Sequence, residues 1–103
     1  MTDYNKLVRD WIPEIIESGG GSCETRILAA DEYVVQLRRK LAEELAEYQA
    51  SHDLEELVDV MEIIYALADV AGCPEPALDA LRLAKRERRG GFEQRIFLVS
   101  ASE

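Results

Sequence analysis

A tight break at Ser51-His52-Asp53 separates two long segments of helical character, and it constrains the fold more than any other feature. The segment before the break runs from about Asp31 to Ala50. The segment after it ends near Gly72, a residue suited to a left-handed helix stop, with Pro74 beyond. Because a connection this short makes two helices antiparallel neighbours, the sequence predicts a helical hairpin at the centre of an all-α fold.

Shorter elements are expected on either side of the hairpin. Residues Lys6 to Glu17 have a helical pattern, although Pro13 delays or breaks a helix there because proline is tolerated only in the first turn. A fourth helix is expected from about Pro76 to Arg89. In the tail from Gln94 to Val99, polar and apolar residues alternate weakly, which is compatible with a short strand. Such a strand could pair with Arg26 to Leu28. We therefore expect an antiparallel bundle of about four helices, with at most two short terminal β segments.

One acidic residue of the first long helix lies where a core residue belongs. On a helical wheel of about 100° per residue, Glu44 falls in the apolar stripe between Leu41 and Tyr48. Glu47 and Lys40 lie along one flank of that stripe. A carboxylate on a packing face loses hydration free energy unless a positive group meets it, so a purely structural helix is better served by leucine or alanine.

The second long helix carries matching acidic residues. Glu56 and Asp59 are three residues apart, so their side chains project together. In an antiparallel hairpin they face Glu44 and Glu47, and four crowded carboxylates repel one another unless a divalent cation is present. Oxygen ligands select hard ions, namely Mg²⁺, Mn²⁺ or Ca²⁺. The same spacing is also typical of solvated helix faces that bind nothing, and spacing alone does not decide between the two.

Composition excludes several classes of protein. The 103 residues include 21 acidic and 12 basic ones, a formal net charge of −9. Stable binding to nucleic acid is not expected, because it needs a basic surface. There is no apolar run of about 20 residues that would span a membrane, and no signal peptide is visible. We expect a single domain, residues 1–103, that is cytoplasmic and keeps its two cysteines reduced.

The acidic segments also resemble a known motif. Lys40 to Glu47, followed by Glu55 to Glu62, resembles the paired E-E-x-x-E and E-x-x-D motif of the MazG-like all-α nucleotide pyrophosphohydrolases. Residues Tyr4 to Ile16 and Lys85 to Phe92 resemble the two ends of a small subgroup often labelled phosphoribosyl-ATP pyrophosphohydrolase-like. The resemblance covers nearly the whole chain. Two departures are a shorter gap between the acidic motifs than in many larger members, and Trp11 where the subgroup usually has lysine.

The resemblance implies an activity and a set of residues. It implies a homodimer or tetramer that hydrolyses a nucleoside triphosphate or related nucleotide to the monophosphate form and pyrophosphate, in the manner of house-cleaning enzymes. It implies Mg²⁺, with Mn²⁺ as a possible substitute. The reaction also needs a base, and either catalytic candidate, Glu44 or Glu47, could bind the metal or accept the proton of the attacking water; the sequence does not separate these roles. The implied metal ligands are Glu44, Glu47, Glu56 and Asp59. The substrate-binding candidates are Lys6, Arg9, Lys40, Lys85 and Arg89.

Three alternatives stay open at the level of sequence. For Lys85 and Arg89, compensation of a helix dipole at its C-terminus is the ordinary explanation, whereas the flanking Gly90-Gly91-Phe92 favours capture of phosphate. The substrate of the same chemistry could be phosphoribosyl-ATP in histidine biosynthesis. The chain could also be a helical binding module of the same fold that catalyses nothing and releases no pyrophosphate.

Overall fold

The computed structural model describes residues 2–103 and folds them into four helices. They are α1 (Ile12–Ser18), α2 (Ala30–Ser51), α3 (Leu54–Val70) and α4 (Glu75–Arg89). The expected all-α class and the number of helices are confirmed. No helix in the described part of the chain is long and apolar enough to cross a membrane.

The expected terminal strands do not form within residues 2–103. Arg26 to Leu28 and Gln94 to Val99 contain no strand, and no β pairing joins the two segments. An isolated two-stranded pair is marginal in water unless it packs against another element. Since both segments lie outside the packed part of the fold, weak alternation in the sequence was not enough to make a sheet.

Helix α1 is shorter than its sequence pattern predicts. It begins at Ile12 with Pro13 in the first turn, where the missing N–H removes no helical hydrogen bond. The expected start at Lys6 is therefore wrong, and the delay caused by proline is confirmed. Among the described residues, α1 packs against none of the other three helices.

Helices α2 and α3 form the predicted hairpin. His52 and Asp53 connect them, and His52 ends α2 in the left-handed conformation, with φ of 59°. At the other end of α2, the N-cap is Ala29. The backbone N–H of Ala29 donates to Glu32 Oε1 at 3.3 Å, so an acidic side chain still satisfies the helix start.

The first turn of α3 has no side-chain cap. Asp53 is the N-cap, but its side chain makes no capping hydrogen bond. The Asp53 N–H donates to Ser51 Oγ at 3.1 Å, so this amide does not need the Glu56 carboxylate as its acceptor. Glu56 is consequently free to reach α2, and one of its carboxylate oxygens lies within 4.8 Å of a Glu44 oxygen.

The core between α2 and α3 is small and includes a charged residue. Its buried apolar residues in the described chain are Leu37, Val60 and Ile63, and Glu44 is buried as well. Leu37 and Glu44 are seven residues apart, which places them on one face of α2. Val60 and Ile63 are three apart on one face of α3. The position of Glu44 on the packing face, predicted by the helical wheel, is confirmed.

Helix α4 contacts the hairpin only near its own start. Gly72, with φ of 82°, turns the chain after α3. The Tyr65 hydroxyl then donates to Asp79 Oδ1 at 3.2 Å and links α3 to α4. Every residue from 80 to 103 is exposed. The radius of gyration is 18.1 Å, against about 13 Å for a compact chain of this length, so the far half of α4 and the tail lie away from the hairpin.

Candidate metal centre

The acidic residues of α2 and α3 meet across the hairpin. Carboxylate oxygens of Glu44, Glu56 and Asp59 lie within 4.8 Å of one another. Oxygens of Glu43, Glu44 and Glu47 also lie within 4.8 Å of one another. Glu44 belongs to both groups, so it joins the acidic residues of α2 to those of α3. We call these five residues the carboxylate cluster.

Local geometry explains why the cluster assembles. Glu44 and Glu47 are three residues apart on α2, as are Glu56 and Asp59 on α3, and this spacing places each pair on one side of its helix. The two-residue connection then lays α3 back along α2. Burial of Leu37, on the same face as Glu44, fixes which side of α2 meets α3.

Glu44 is the unusual member because it is both charged and buried. Only 7% of its surface is exposed. Lys40 Nζ lies 3.7 Å from Glu44 Oε1, which is long for a hydrogen bond. Glu44 Oε2 and Glu56 Oε2 are buried atoms with no hydrogen-bond partner among the described residues. Leaving a buried polar atom unsatisfied costs about 1–3 kcal/mol, and more when it is charged, so these two oxygens call for an explanation.

The pKa values of the cluster also indicate that it needs positive charge. Burial raises the pKa of Glu44 above its ordinary value of 4.5, and the neighbouring carboxylate of Glu47 adds to the shift. A hydrogen bond shared with Glu44 is the main cause that raises the pKa of Glu56 to about 7, followed by burial. When both groups are ionised neither has a proton to donate, which leaves their oxygens unpartnered. The cluster therefore attracts positive charge, either a proton or a cation.

The donor set fits a hard divalent cation. All the converging ligand atoms are carboxylate oxygens, the type that Mg²⁺ and Mn²⁺ prefer. They approach from two helices, and the carboxylates of Glu44 and Glu56 each have one buried oxygen without a partner. A cation between Glu44, Glu56 and Asp59 would relieve both the repulsion and the unsatisfied oxygens. Glu47, the fourth predicted ligand, is exposed and adjoins this position through Glu44.

Two of the five predicted substrate-binding cations lie at the cluster. Arg9 Nη2 donates to Asp59 Oδ1 at 2.7 Å. Lys40 is the looser neighbour of Glu44 at 3.7 Å. Lys6 lies instead over the ring of Tyr4, with Nζ 5.7 Å from the ring centroid.

Lys85 and Arg89 are not brought to the cluster within one chain. Both are exposed in the last turns of α4, and α4 does not pack against α2 in residues 2–103. Their neighbour Arg86 pairs with Glu93 at 2.6 Å, just beyond the end of the helix. Compensation of the helix dipole accounts for this basic turn in the isolated chain.

Sequence reasoning missed two features of the cluster. Glu43 was not expected to take part, because it lies away from the apolar stripe of α2, yet its carboxylate lies close to those of Glu44 and Glu47. The spacing of four residues between Glu43 and Glu47 was the available signal. The contact of Arg9 with Asp59 joins residues that are 50 positions apart, and no local sequence pattern predicts such a pair.

Comparison with known proteins gives one partial match. The chain is 48% identical over 46 residues to a protein of Mycolicibacterium smegmatis that is described only as uncharacterized. The match covers 45% of this chain and 47% of that protein. No family model matches the chain, and no solved structure matches it significantly.

Proposed function

We propose that this protein is a Mg²⁺-dependent nucleotide pyrophosphohydrolase whose metal centre is the carboxylate cluster. The observation that carries the proposal is the buried carboxylate of Glu44, which has an unpartnered oxygen, Oε2, and lies beside the Glu56 and Asp59 carboxylates. A purely solvated acidic face gives no reason to bury a glutamate on the packing side of α2. The resemblance to the MazG-like motif supports the same residues and supplies the reaction class.

The residues divide into ligands and a base according to their exposure. Glu44, Glu56 and Asp59 hold the cation, since their carboxylates converge and Glu44 and Glu56 each have an oxygen shielded from water. A bound Mg²⁺ supplies charge neutralisation for phosphate oxygens and activation of water. Glu47 is exposed beside Glu44, so it can reach a solvent-derived water and accept its proton. We therefore assign the role of general base to Glu47 and that of buried ligand to Glu44.

The substrate class follows from the charge that such a site can accept. A net charge of −9 repels a polyphosphate unless divalent cations mediate the contact, so we propose that the substrate enters as its Mg²⁺ complex. A nucleoside triphosphate cleaved to the monophosphate form and pyrophosphate fits this requirement. Self-association into a homodimer or tetramer is part of the proposal, and the basic turn of α4 is then available to a second copy.

A pyrophosphate-release assay over a panel of nucleotides, with and without Mg²⁺, tests the activity. The panel includes canonical and oxidised nucleoside triphosphates and phosphoribosyl-ATP. Glu44→Gln and Asp59→Asn should each lose at least about 100-fold in rate. Removing a residue that only hydrogen-bonds to a metal ligand already lowers activity by up to about 100-fold, and removing the ligand itself should lower it at least as much. The exposed Glu24→Gln, which removes the same charge outside the cluster, should keep the wild-type rate. Release of no pyrophosphate from any nucleotide would leave the helical binding module as the better description.

A thermal shift separates metal binding from turnover. Mg²⁺ that binds only the folded protein stabilises it by about 2.7 kcal/mol at a concentration 100 times the Kd. Wild type and Glu24→Gln should show this rise in Tm, and Glu44→Gln and Asp59→Asn should lose it while remaining folded in EDTA. If the cluster variants gain as much from Mg²⁺ as wild type does, the proposed centre is wrong.

A further inference from the structure

The N-terminal segment places a cation directly on the carboxylate cluster. Arg9 Nη2 lies 2.7 Å from Asp59 Oδ1, well within the distance of a charge-assisted hydrogen bond. The other cation at the cluster, Lys40, lies 3.7 Å from Glu44 on the same helix. Arg9 is thus the closest positive charge that any cluster carboxylate meets in the described chain, and it comes from outside the hairpin.

Little else holds Arg9 in this position. Residues 2–11 form no helix, and nearly all of them are exposed. Within residues 2–103, α1 packs against no other helix, and the bond from Arg9 to Asp59 is the one side-chain hydrogen bond between residues 2–18 and the three longer helices. The Arg9 side chain is 49% exposed and that of Asp59 39% exposed. The contact can therefore open without disturbing the small core around Leu37 and Ile63.

A divalent cation at the cluster would compete with this guanidinium. Asp59 Oδ1 belongs to the same carboxyl group that lies within 4.8 Å of the Glu44 and Glu56 oxygens. Two positive groups on one carboxylate repel each other strongly at such distances, and the neighbouring burial of Glu44 weakens the screening by water. The ion pair itself is partly exposed and so contributes only modestly to stability.

We propose that Arg9 is a removable counter-ion, which neutralises Asp59 while no divalent cation is bound and is displaced when one enters the cluster. The inference rests on the proposed function, because it needs a cation to bind there. Entry of the cation then releases the N-terminal segment, so metal loading is coupled to the conformation of residues 2–11. Part of the binding free energy is used to break the ion pair, which lowers the apparent affinity for the metal.

Calorimetric titration with Mn²⁺ alone, in the absence of nucleotide, tests the exchange. Arg9→Gln should bind Mn²⁺ about two- to fivefold more tightly than wild type, the range that a partly exposed ion pair contributes. The matched control is Arg82→Gln, which removes an equal charge from an exposed arginine–aspartate pair, Arg82 with Asp79 at 3.8 Å in α4. This control should bind Mn²⁺ with the wild-type affinity.

Trp11 offers a second readout that does not depend on affinity. It is the single tryptophan of the chain and lies two residues from Arg9, at the junction with α1. Saturating Mg²⁺ should shift the Trp11 fluorescence of the wild type and of Arg82→Gln. Arg9→Gln should show the shifted emission already in EDTA and respond little to Mg²⁺, because its segment is already released.

The outcomes separate this inference from the function on which it rests. Mn²⁺ binding of equal strength in all three proteins would overturn the exchange and leave the metal centre standing. Weaker binding by Arg9→Gln would also overturn it, since Arg9 would then position Asp59 for the cation. Unchanged Trp11 emission in wild type saturated with Mg²⁺ would overturn the release of the segment. If none of the proteins binds Mn²⁺ or Mg²⁺, both the centre and the exchange are wrong.

Discussion

Glu44 is the residue at which the folding and the proposed chemistry of this chain conflict. It lies on the face of α2 that packs against α3, two helical turns from the core residue Leu37. Burial raises its pKa, which means that the ionised form is the less favourable one in the metal-free fold. A leucine there would extend the apolar face. The chain keeps a carboxylate whose cost is offset only by a proton or a cation.

This conflict predicts how the metal-free protein responds to pH. The pKa of Glu56 is about 7 in the folded state and 4.5 ordinarily, so between these values the folded state binds more protons than the unfolded one. The free energy of unfolding must then fall as pH rises through about 4.5 to 7. The raised pKa of Glu44 acts in the same direction. Urea melts in EDTA at several pH values across this interval measure the decline.

The matched variant for this prediction is Glu56→Gln, which cannot titrate. Its stability in EDTA should depend less on pH than that of wild type between about 4.5 and 7. Mg²⁺ should reverse the trend in wild type, because metal binding requires deprotonated carboxylates and strengthens as they ionise. Wild-type stability that climbs with pH over this range in EDTA would contradict the shared proton between Glu44 and Glu56.

At the scale of elements, the hairpin of α2 and α3 and the helix α4 differ in how they are held. The hairpin buries Leu37, Val60 and Ile63, whereas no residue of α4 is buried. One side-chain hydrogen bond, from Tyr65 to Asp79, joins α3 and α4. Burial and this bond raise the pKa of the Tyr65 hydroxyl, so it stays protonated and able to donate at neutral pH. Helix α4 should therefore separate from the hairpin before the hairpin itself unfolds.

Tyr65→Phe tests the attachment of α4. Removing the hydroxyl should cost about 0.5–1.5 kcal/mol, and it should appear as faster hydrogen exchange of the α4 amides with little change in α2. Tyr33→Phe, which removes a hydroxyl from α2 instead, serves as the matched control. Equal acceleration of exchange along all helices in Tyr65→Phe would show that α4 opens only together with the hairpin.

The sequence correctly predicted the elements that depend on local signals and did not correctly predict those that depend on tertiary contacts. The hairpin followed from local signals, namely helical periodicity, the break at Ser51 to Asp53 and the stop at Gly72. The placement of Glu44 followed from the same periodicity. The predicted strands depended on a partner and a packing face that no local signal supplies. The contact of Arg9 with Asp59 is likewise tertiary, because it depends on how the N-terminal segment crosses the finished hairpin.

At the scale of the whole molecule, the chain exposes far more surface than a compact protein of its mass. Its accessible surface is 9127 Å², while a monomer of 11.6 kDa normally exposes about 5,800 Å². The excess, about 3,300 Å² for one chain, is large enough for the interface of an obligate oligomer, which buries roughly 2,000–5,000 Å² in total over its partners. The exposed large apolar residues include a series along the hydrophobic α3, namely Leu54, Leu57, Val58, Met61 and Ile64. A second copy of the chain is the occupant that we propose for this face.

The final prediction is that the protein is a homodimer or tetramer at micromolar concentration and that its α3 face forms the interface. Met61 and Ile64 are three residues apart on that face and are 53% and 42% exposed in the single chain. A glutamate at either position would be buried and unpaired in the interface, so Met61→Glu and Ile64→Glu should dissociate the assembly. Gln49→Glu adds the same charge at an exposed polar position of α2 and should remain assembled. Sedimentation velocity measures all four proteins, and a wild type that sediments as a folded monomer at micromolar concentration would rule the assembly out.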